Sequence, residues 1–329
     1  MVGKRSFLVA LLAALAAPRL GLAARAGEPR HIGYLRFDTP SYGGDALIAD
    51  FNRRLSELGY VEGKDYVIDN RSAGGNVENL PALATELVRA NVDVIVVMGG
   101  SPAIRAVQAA TKTIPIVIVG TGDPVGSGFA SSLSRPGGNI TGISSANVEI
   151  TPKLVGLLLE VSPRMRRLGL LTDPDSSTQA AYWRIAEAAA RDANLEFFPS
   201  SARNPEQIER AFAAMARDRV GGAIVAADSY FAWQARSIAD VARKHQIPAI
   251  SHDVYYAEEG FLMGYGADRR ARLRRTADFV DKIFKGAKPA DLPIIQPSEF
   301  TLAINLRTAK ALKLVIPDSL LARAQQVIK

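Results

Sequence analysis

Ser251-His252-Asp253 brings together the three side-chain types of a hydrolytic triad, in an arrangement that cannot build one. Consecutive side chains point in different directions, whereas a triad needs nucleophile, base and orienting acid to converge. His252 therefore reads as a cleft-lining or hydrogen-bonded histidine. The other two histidines, His31 and His245, supply no metal-ligand spacing, and the absence of cysteine excludes a thiol nucleophile. Gly120-Thr121-Gly122-Asp123-Pro124-Val125-Gly126 imitates a dinucleotide-binding glycine fingerprint and fails in detail. Three residues, not two, separate its last glycines, Pro124 lacks a backbone donor where a phosphate wants one, and the segment follows a fourth strand rather than a first. With chemistry on covalent bonds disfavoured, the remaining polar groups suit binding. Gly99-Gly100-Ser101 ends an apolar run and opens a helical pattern, so its backbone N–H groups and the Ser101 hydroxyl suit a carboxylate or phosphate. Ser101 is also a good helix cap, and the two roles are compatible. Asp228 ends a second apolar run, where it could face a ligand cation or cap the helix that follows.

The elements that must hold these groups alternate between two periodicities. Short β-rich runs at Ile32–Phe37, Tyr66–Ile68, Val92–Met98 and Ile114–Val119 are separated by helical stripes. One stripe is Leu47, Ile48, Phe51, Leu55 and Leu58; another is Leu80, Leu83, Ala84, Leu87 and Val88. After a strand at Ile140–Ile143 the alternation restarts with strands at Leu168–Leu171, Leu195–Phe198, Gly222–Ala226 and Ala249–Ile250. Helices at Thr178–Asp192, around Ile208–Met215 and at Ala232–Lys244 lie between them. The expected fold class is α/β: two doubly wound lobes joined by a multi-strand hinge. Ser144–Pro152 is the expected first crossing. The helix through Leu273, Ala277, Val280 and Phe284, a strand near Phe300–Ile304 and a terminal helix after Pro317 imply further crossings. The lobes are expected at 27–145 plus about 267–297, and at 146–266 plus about 298–329.

Ligands of parallel sheets sit beyond the carboxyl ends of the strands. That rule selects Asp38, Ser41 and Tyr42 after the first strand, Gly100 and Ser101 after the third, and Gly120, Thr121 and Asp123 after the fourth. In the second series it selects Asp175 and Ser176, then Asp228 and Tyr230, then His252 and Asp253. Tyr42, Tyr230 and Trp233 could stack on a planar ligand; core packing is the competing reading for Trp233.

Lys4-Arg5, the apolar run Phe7–Ala17 and Ala24-Arg25-Ala26 have the order of a secretory leader with a small-x-small cleavage site. The run is shorter than the roughly 20 residues of a membrane span. Without cysteine the product carries neither a lipid on an N-terminal Cys nor a disulfide, so a free periplasmic protein is expected. The net charge of +7 comes from 40 basic and 33 acidic residues. Four of the basic ones lie in residues 1–26 with no acid, leaving 36 against 33, too small an excess to imply nucleic acid. The dense basic run Arg269-Arg270, Arg272, Arg274-Arg275 reads as the solvated face of a helix.

Longer segments carry a family resemblance. They are Glu57-Leu58-Gly59-Tyr60-Val61-Glu62-Gly63, Leu80-Pro81-Ala82-Leu83-Ala84, Val92-Asp93-Val94-Ile95-Val96 and Thr113-Ile114-Pro115-Ile116-Val117. Ser134-Arg135-Pro136-Gly137-Gly138-Asn139-Ile140-Thr141-Gly142, Gly286-Ala287-Lys288-Pro289-Ala290-Asp291-Leu292-Pro293 and Ile304-Asn305-Leu306-Arg307-Thr308-Ala309-Lys310-Ala311-Leu312 complete the set. Together they resemble the ABC-transporter substrate-binding proteins assigned to tryptophan and tyrosine transport. The resemblance implies the type I periplasmic-binding-protein fold, with one ligand in the cleft between lobes. It implies that Ser101 and the Gly120-Thr121 turn take a carboxylate and that Asp228 meets an ammonium. Asp173-Pro174-Asp175 stands where the family often has Asn-Pro, and Ser251-His252-Asp253-Val254-Tyr255 replaces more common aromatic and basic forms. The expected ligand is thus an amino acid, aromatic or otherwise, or a related carboxylate. The expected partners are an inner-membrane ABC permease with its cytoplasmic ATPase, and the expected state is a monomer without cofactor. A ligand-sensing subunit for a membrane receptor is the alternative, and an exported α/β enzyme the disfavoured one.

Overall fold

A computed structural model describes residues 28–37 and 44–329. The segment holding Asp38, Ser41 and Tyr42, and the leader, lie outside the described residues. The first sheet contains β1 (Arg30–Arg36), β2 (Tyr66–Ser72), β3 (Val94–Met98), β4 (Ile116–Val119) and β5 (Ile140–Ile143) in the order β2-β1-β3-β4-β5. Every pairing in it is parallel. Residues of β3 and β4 alternate between two cores. Val94, Val96 and Val117 pack with α1 (Gly44–Glu57), and Ile95, Val97 and Ile118 pack with α2 (Leu80–Arg89) and α3 (Gly100–Ala110). Strands covered on both faces must be apolar throughout, which is why these runs show no polar alternation.

The second sheet has the order β12-β11-β10-β9-β8-β6-β7. Its parallel heart is β6 (Arg167–Thr172), β7 (Glu196–Ser201), β8 (Gly222–Val225), β9 (Ala249–Ser251) and β10 (Met263–Ala267). β11 (Phe300–Asn305) runs antiparallel to β10, and β12 (Gln326–Ile328) lies parallel beyond it. One face carries α4 (Thr151–Val161) and α5 (Gln179–Asp192); the other carries α6 (Pro205–Arg217) and α8 (Ala235–Lys244). α6 shows the local logic: Asn204 caps it by accepting from Gln207 N–H at 2.8 Å, and Pro205 opens the first turn.

The chain moves between the sheets after β5, after β10 and before β11. Between the last two moves lies α10 (Arg269–Phe284), which packs on the first sheet. Its Leu273, Ala277 and Val280 share a core with Ile32 and Tyr34, and its Asp278 and Arg274 pair with Arg54 and Glu57 of α1 at 2.8 and 2.7 Å. The connecting segments touch one another: Ser144 N–H donates to Ile295 C=O at 2.9 Å, and Asp268 N–H to Glu299 C=O at 3.3 Å.

Three expectations change. Ser144–Pro152 is not wholly connector, because α4 begins at Thr151; Leu154, Val155, Leu158 and Val161 form its buried stripe, with Pro152, Lys153 and Gly156 exposed on the other side. Ala232–Lys244 is two helices, α7 (Ser229–Trp233) and α8, meeting at Gln234. The segment after Pro317 is a short helix, α12 (Asp318–Leu321), followed by β12.

Candidate functional site

A cavity of about 440 Å³ lies between the two sheets, at the carboxyl ends of their strands. That size falls within the usual range of small-molecule sites, about 300–1,000 Å³. Ten sequence-selected residues line it: Gly100, Ser101, Gly120, Thr121, Asp175, Ser176, Asp228, Tyr230, His252 and Asp253. Asp123 does not; its Oδ1 accepts from Gly126 N–H at 2.8 Å and closes the turn of its own loop.

On the first-sheet side, Gly99 rather than Ser101 occupies the cap position of α3. The Ser101 hydroxyl instead reaches across the cleft, accepting from Ser177 Oγ at 2.9 Å, and Ser177 also meets Ser127 Oγ at 2.9 Å. Thr121 is 3% exposed, and its hydroxyl has no partner among the described residues.

The second-sheet side concentrates carboxylates. Asp228 caps α7, its Oδ1 accepting from Tyr230 N–H at 2.7 Å. Of the two roles left open by the sequence the cap is formed, and the same side chain also borders the cavity. Burial, and then the neighbouring negative charge of Asp173, push its carboxyl up to about 6, against the opposing pull of backbone N–H groups and Arg203. Asp173 is itself buried, accepts from Asp175 N–H at 2.9 Å and is raised by burial, with Arg203 pulling the other way. Arg203 pairs with Asp175 at the cavity edge.

His252 is buried against the Tyr182 ring, 5.2 Å between centroids, and its Nε2 lies 3.1 Å from Thr151 Oγ1. Desolvation lowers its pKa to about 3, leaving a neutral imidazole that accepts a proton poorly. Asp253 caps α9 (Val254–Glu258) through Tyr255 N–H at 3.0 Å. Its other oxygen lies 3.4 Å from Arg272 Nη2 and 3.7 Å from Arg269 Nε.

Those two arginines correct the reading of the basic run as a purely solvated face. Their side chains are 16% exposed and border the cavity, while Arg270 and Arg275, at 78% and 69%, face solvent. Sequence reasoning also passed over Arg203 and the loop 75–78. Both lie beyond the carboxyl ends of strands, β7 and β2, so the rule that selected the other loops would have found them. Trp233 is not core: it is 42% exposed, and a Cβ built on Gly75 would stand 2.9 Å from its ring. Among the described residues no group of three His, Asp or Glu side chains is placed to hold a metal, and no helix is long and apolar enough to cross a membrane.

A family model described as ABC transporter substrate binding protein matches residues 43–328. The chain is 24% identical over 263 residues to a tyrosine-binding protein of Clostridioides difficile, covering 80% of this chain and 75% of that one. A conserved domain protein of Vibrio cholerae superposes with a TM-score of 0.84 at 26% identity, over 91% of this chain and all of that one. A Streptococcus pneumoniae ABC domain in complex with L-Trp superposes with a TM-score of 0.81 at 25% identity, over 92% of this chain and all of that one.

Proposed function

Because the chain belongs to the ABC transporter substrate-binding protein family, we propose that it captures a free α-amino acid with an aromatic side chain for import. The observation that carries this reading is the cavity's charge arrangement. Asp228 on the second-sheet side is a partly buried acid that calls for a cation, and Ser101 and Thr121 on the first-sheet side offer hydroxyls to an anion. An α-amino acid brings both charges on one carbon. Phe37, Met98, Tyr230 and Trp233 add apolar and aromatic walls for its side chain. The L-Trp bound by the pneumococcal relative and the tyrosine named for the clostridial one support the same class.

In this reading binding involves no chemical step. The lobes, 27–145 with about 267–297 and 146–266 with about 298–329, close about the connecting segments because the ligand touches both. Residues 1–26 are a cleaved leader, the mature monomer works in the periplasm, and an inner-membrane permease with its ATPase receives the ligand. The test is a thermal-shift and calorimetric screen of the purified protein with the twenty L-amino acids. An aromatic ligand at 100 times its dissociation constant stabilises the folded form by about 2.7 kcal/mol. A screen in which no amino acid raises Tm at millimolar concentration overturns the proposal.

A further inference from the structure

We infer that Arg272, held from across the cleft by Asp253, is the group that selects a carboxylate on the ligand, acting with Thr121 above the bare backbone of Gly120. The inference deepens the proposed function and rests on it. Three observations converge on one spot. Gly120 has φ +82° and no side chain, and a Cβ built there would stand 2.5 Å from Arg272 Nη1. The guanidinium therefore occupies the space that any other residue at 120 would fill. Next to it, Thr121 carries a hydroxyl that is buried, borders the cavity and has no partner among the described residues. A buried polar group of that kind costs stability unless something meets it, and a ligand oxygen would. Ser145, also on the cavity wall, brings its Cβ within 3.7 Å of the same position.

The orientation of the fork fits an anion at that spot. Nη2 is turned to Asp253 at 3.4 Å, while Nη1 lies over Gly120, the residue before Thr121. A planar guanidinium can serve two carboxylates along different edges, which an ammonium on a flexible stem does less well. The two anchors also divide between the sheets. Arg272, Gly120 and Thr121 all belong to the first-sheet side, since α10 packs there, so this half of the subsite exists before closure. Asp253 comes from the second sheet, between β9 and β10, and meets Arg272 when the two sides approach. Asp253 is thus a positioning residue rather than a ligand contact.

The experiment measures dissociation constants of wild type, Arg272→Gln, Arg272→Lys and Thr121→Val for L-tryptophan, its primary amide and tryptamine. Circular dichroism and thermal melts check each variant's fold. Wild type should prefer the free acid over the amide. Arg272→Gln should weaken acid binding by about 10- to 100-fold, the loss expected for a hydrogen bond to a charged group, and leave the amide and the amine within about threefold. Arg272→Lys should recover part of the preference, and Thr121→Val, which removes only a buried unpartnered hydroxyl, should lower it without loss of Tm. If wild type binds the acid and Arg272→Gln retains the acid-over-amide preference, or loses all three ligands equally, the role of Arg272 is overturned while the proposed function stands. If Arg272→Gln does not fold, an unchanged preference in Thr121→Val overturns the subsite. If wild type binds no aromatic amino acid, the proposed function fails and this assignment with it.

Discussion

Replacing Asp228 by Asn should strengthen the protein and weaken its binding at the same time. Burial and the charge of Asp173 raise the Asp228 carboxyl from 3.8 to about 6, roughly two pK units. At about 1.36 kcal/mol per unit, keeping this group ionised at neutral pH costs the fold at most about 3 kcal/mol, and less for the water that reaches it through the cleft. The sign follows from the direction of the shift. A folded-state pKa above the unfolded one favours the protonated form, so the stabilisation is complete below about 3.8 and disappears as pH rises through about 6. Asn removes the charge, keeps the acceptor for Tyr230 N–H and caps as well as Asp. Asp228→Asn should therefore raise Tm by several degrees at pH 7.5 and give little gain at pH 4. Binding should respond oppositely. If the ligand ammonium needs the ionised acid, wild-type affinity should drop about tenfold from pH 7.5 to pH 5, where only about one molecule in eleven is ionised. Calorimetry of both proteins with an aromatic amino acid across that range is the assay. Asp228→Asn should bind weakly at every pH, without the wild-type slope. A flat wild-type profile, or a variant that binds as well as wild type, would refute the pairing; a variant of lower Tm at pH 7.5 would refute the charge argument.

Three further substitutions probe closure and packing. Gly75→Leu puts a side chain where a Cβ already meets the Trp233 ring at 2.9 Å, on a backbone with φ +79°. It should hold the two sides apart, seen as a larger radius of gyration by X-ray scattering with saturating ligand, and unchanged compaction would count against Trp233 as a closing contact. Ser177→Ala removes the hydroxyl that bridges Ser101 and Ser127 at 2.9 Å each. It should weaken binding by about 2- to 10-fold, the worth of a neutral hydrogen bond, with Tm unchanged; equal affinity by calorimetry would show the bridge to be neutral. Gly142→Ala drives a Cβ to 2.4 Å from Ile118 O between β4 and β5, at φ +129°. It should cost more than about 3 kcal/mol in urea unfolding, and a loss under 1 kcal/mol would mean the strands move apart freely.

The fold could be read from the chain because it rests on local periodicity. Alternating apolar runs and helical stripes report which face of each element meets its own sheet, and the parallel order then points every loop after a strand toward one edge. Gly100, Ser101, Gly120, Thr121, Asp228, Tyr230, His252 and Asp253 were reachable by that route. α4 carries such a stripe too, at Leu154, Val155, Leu158 and Val161, although it opens inside the stretch read as a connector; the break between α7 and α8 at Gln234 has no such periodic signal. Arg269 and Arg272 show where local pattern stops. Their spacing with Leu273 and Ala277 marks a helix with a basic side, as Arg270 and Arg275 confirm by facing solvent. What that side meets depends on the chain having just crossed from β10 to the first sheet, which turns the opening of α10 toward the cleft and brings Asp253 of the other sheet within reach. Gly75 and Trp233, more than 150 positions apart, touch for the same reason. Each element's own sequence determines its buried face, because burial is settled against neighbours in the same layer. Contacts across the cleft depend on how the three crossings orient one sheet against the other, and no single element encodes that.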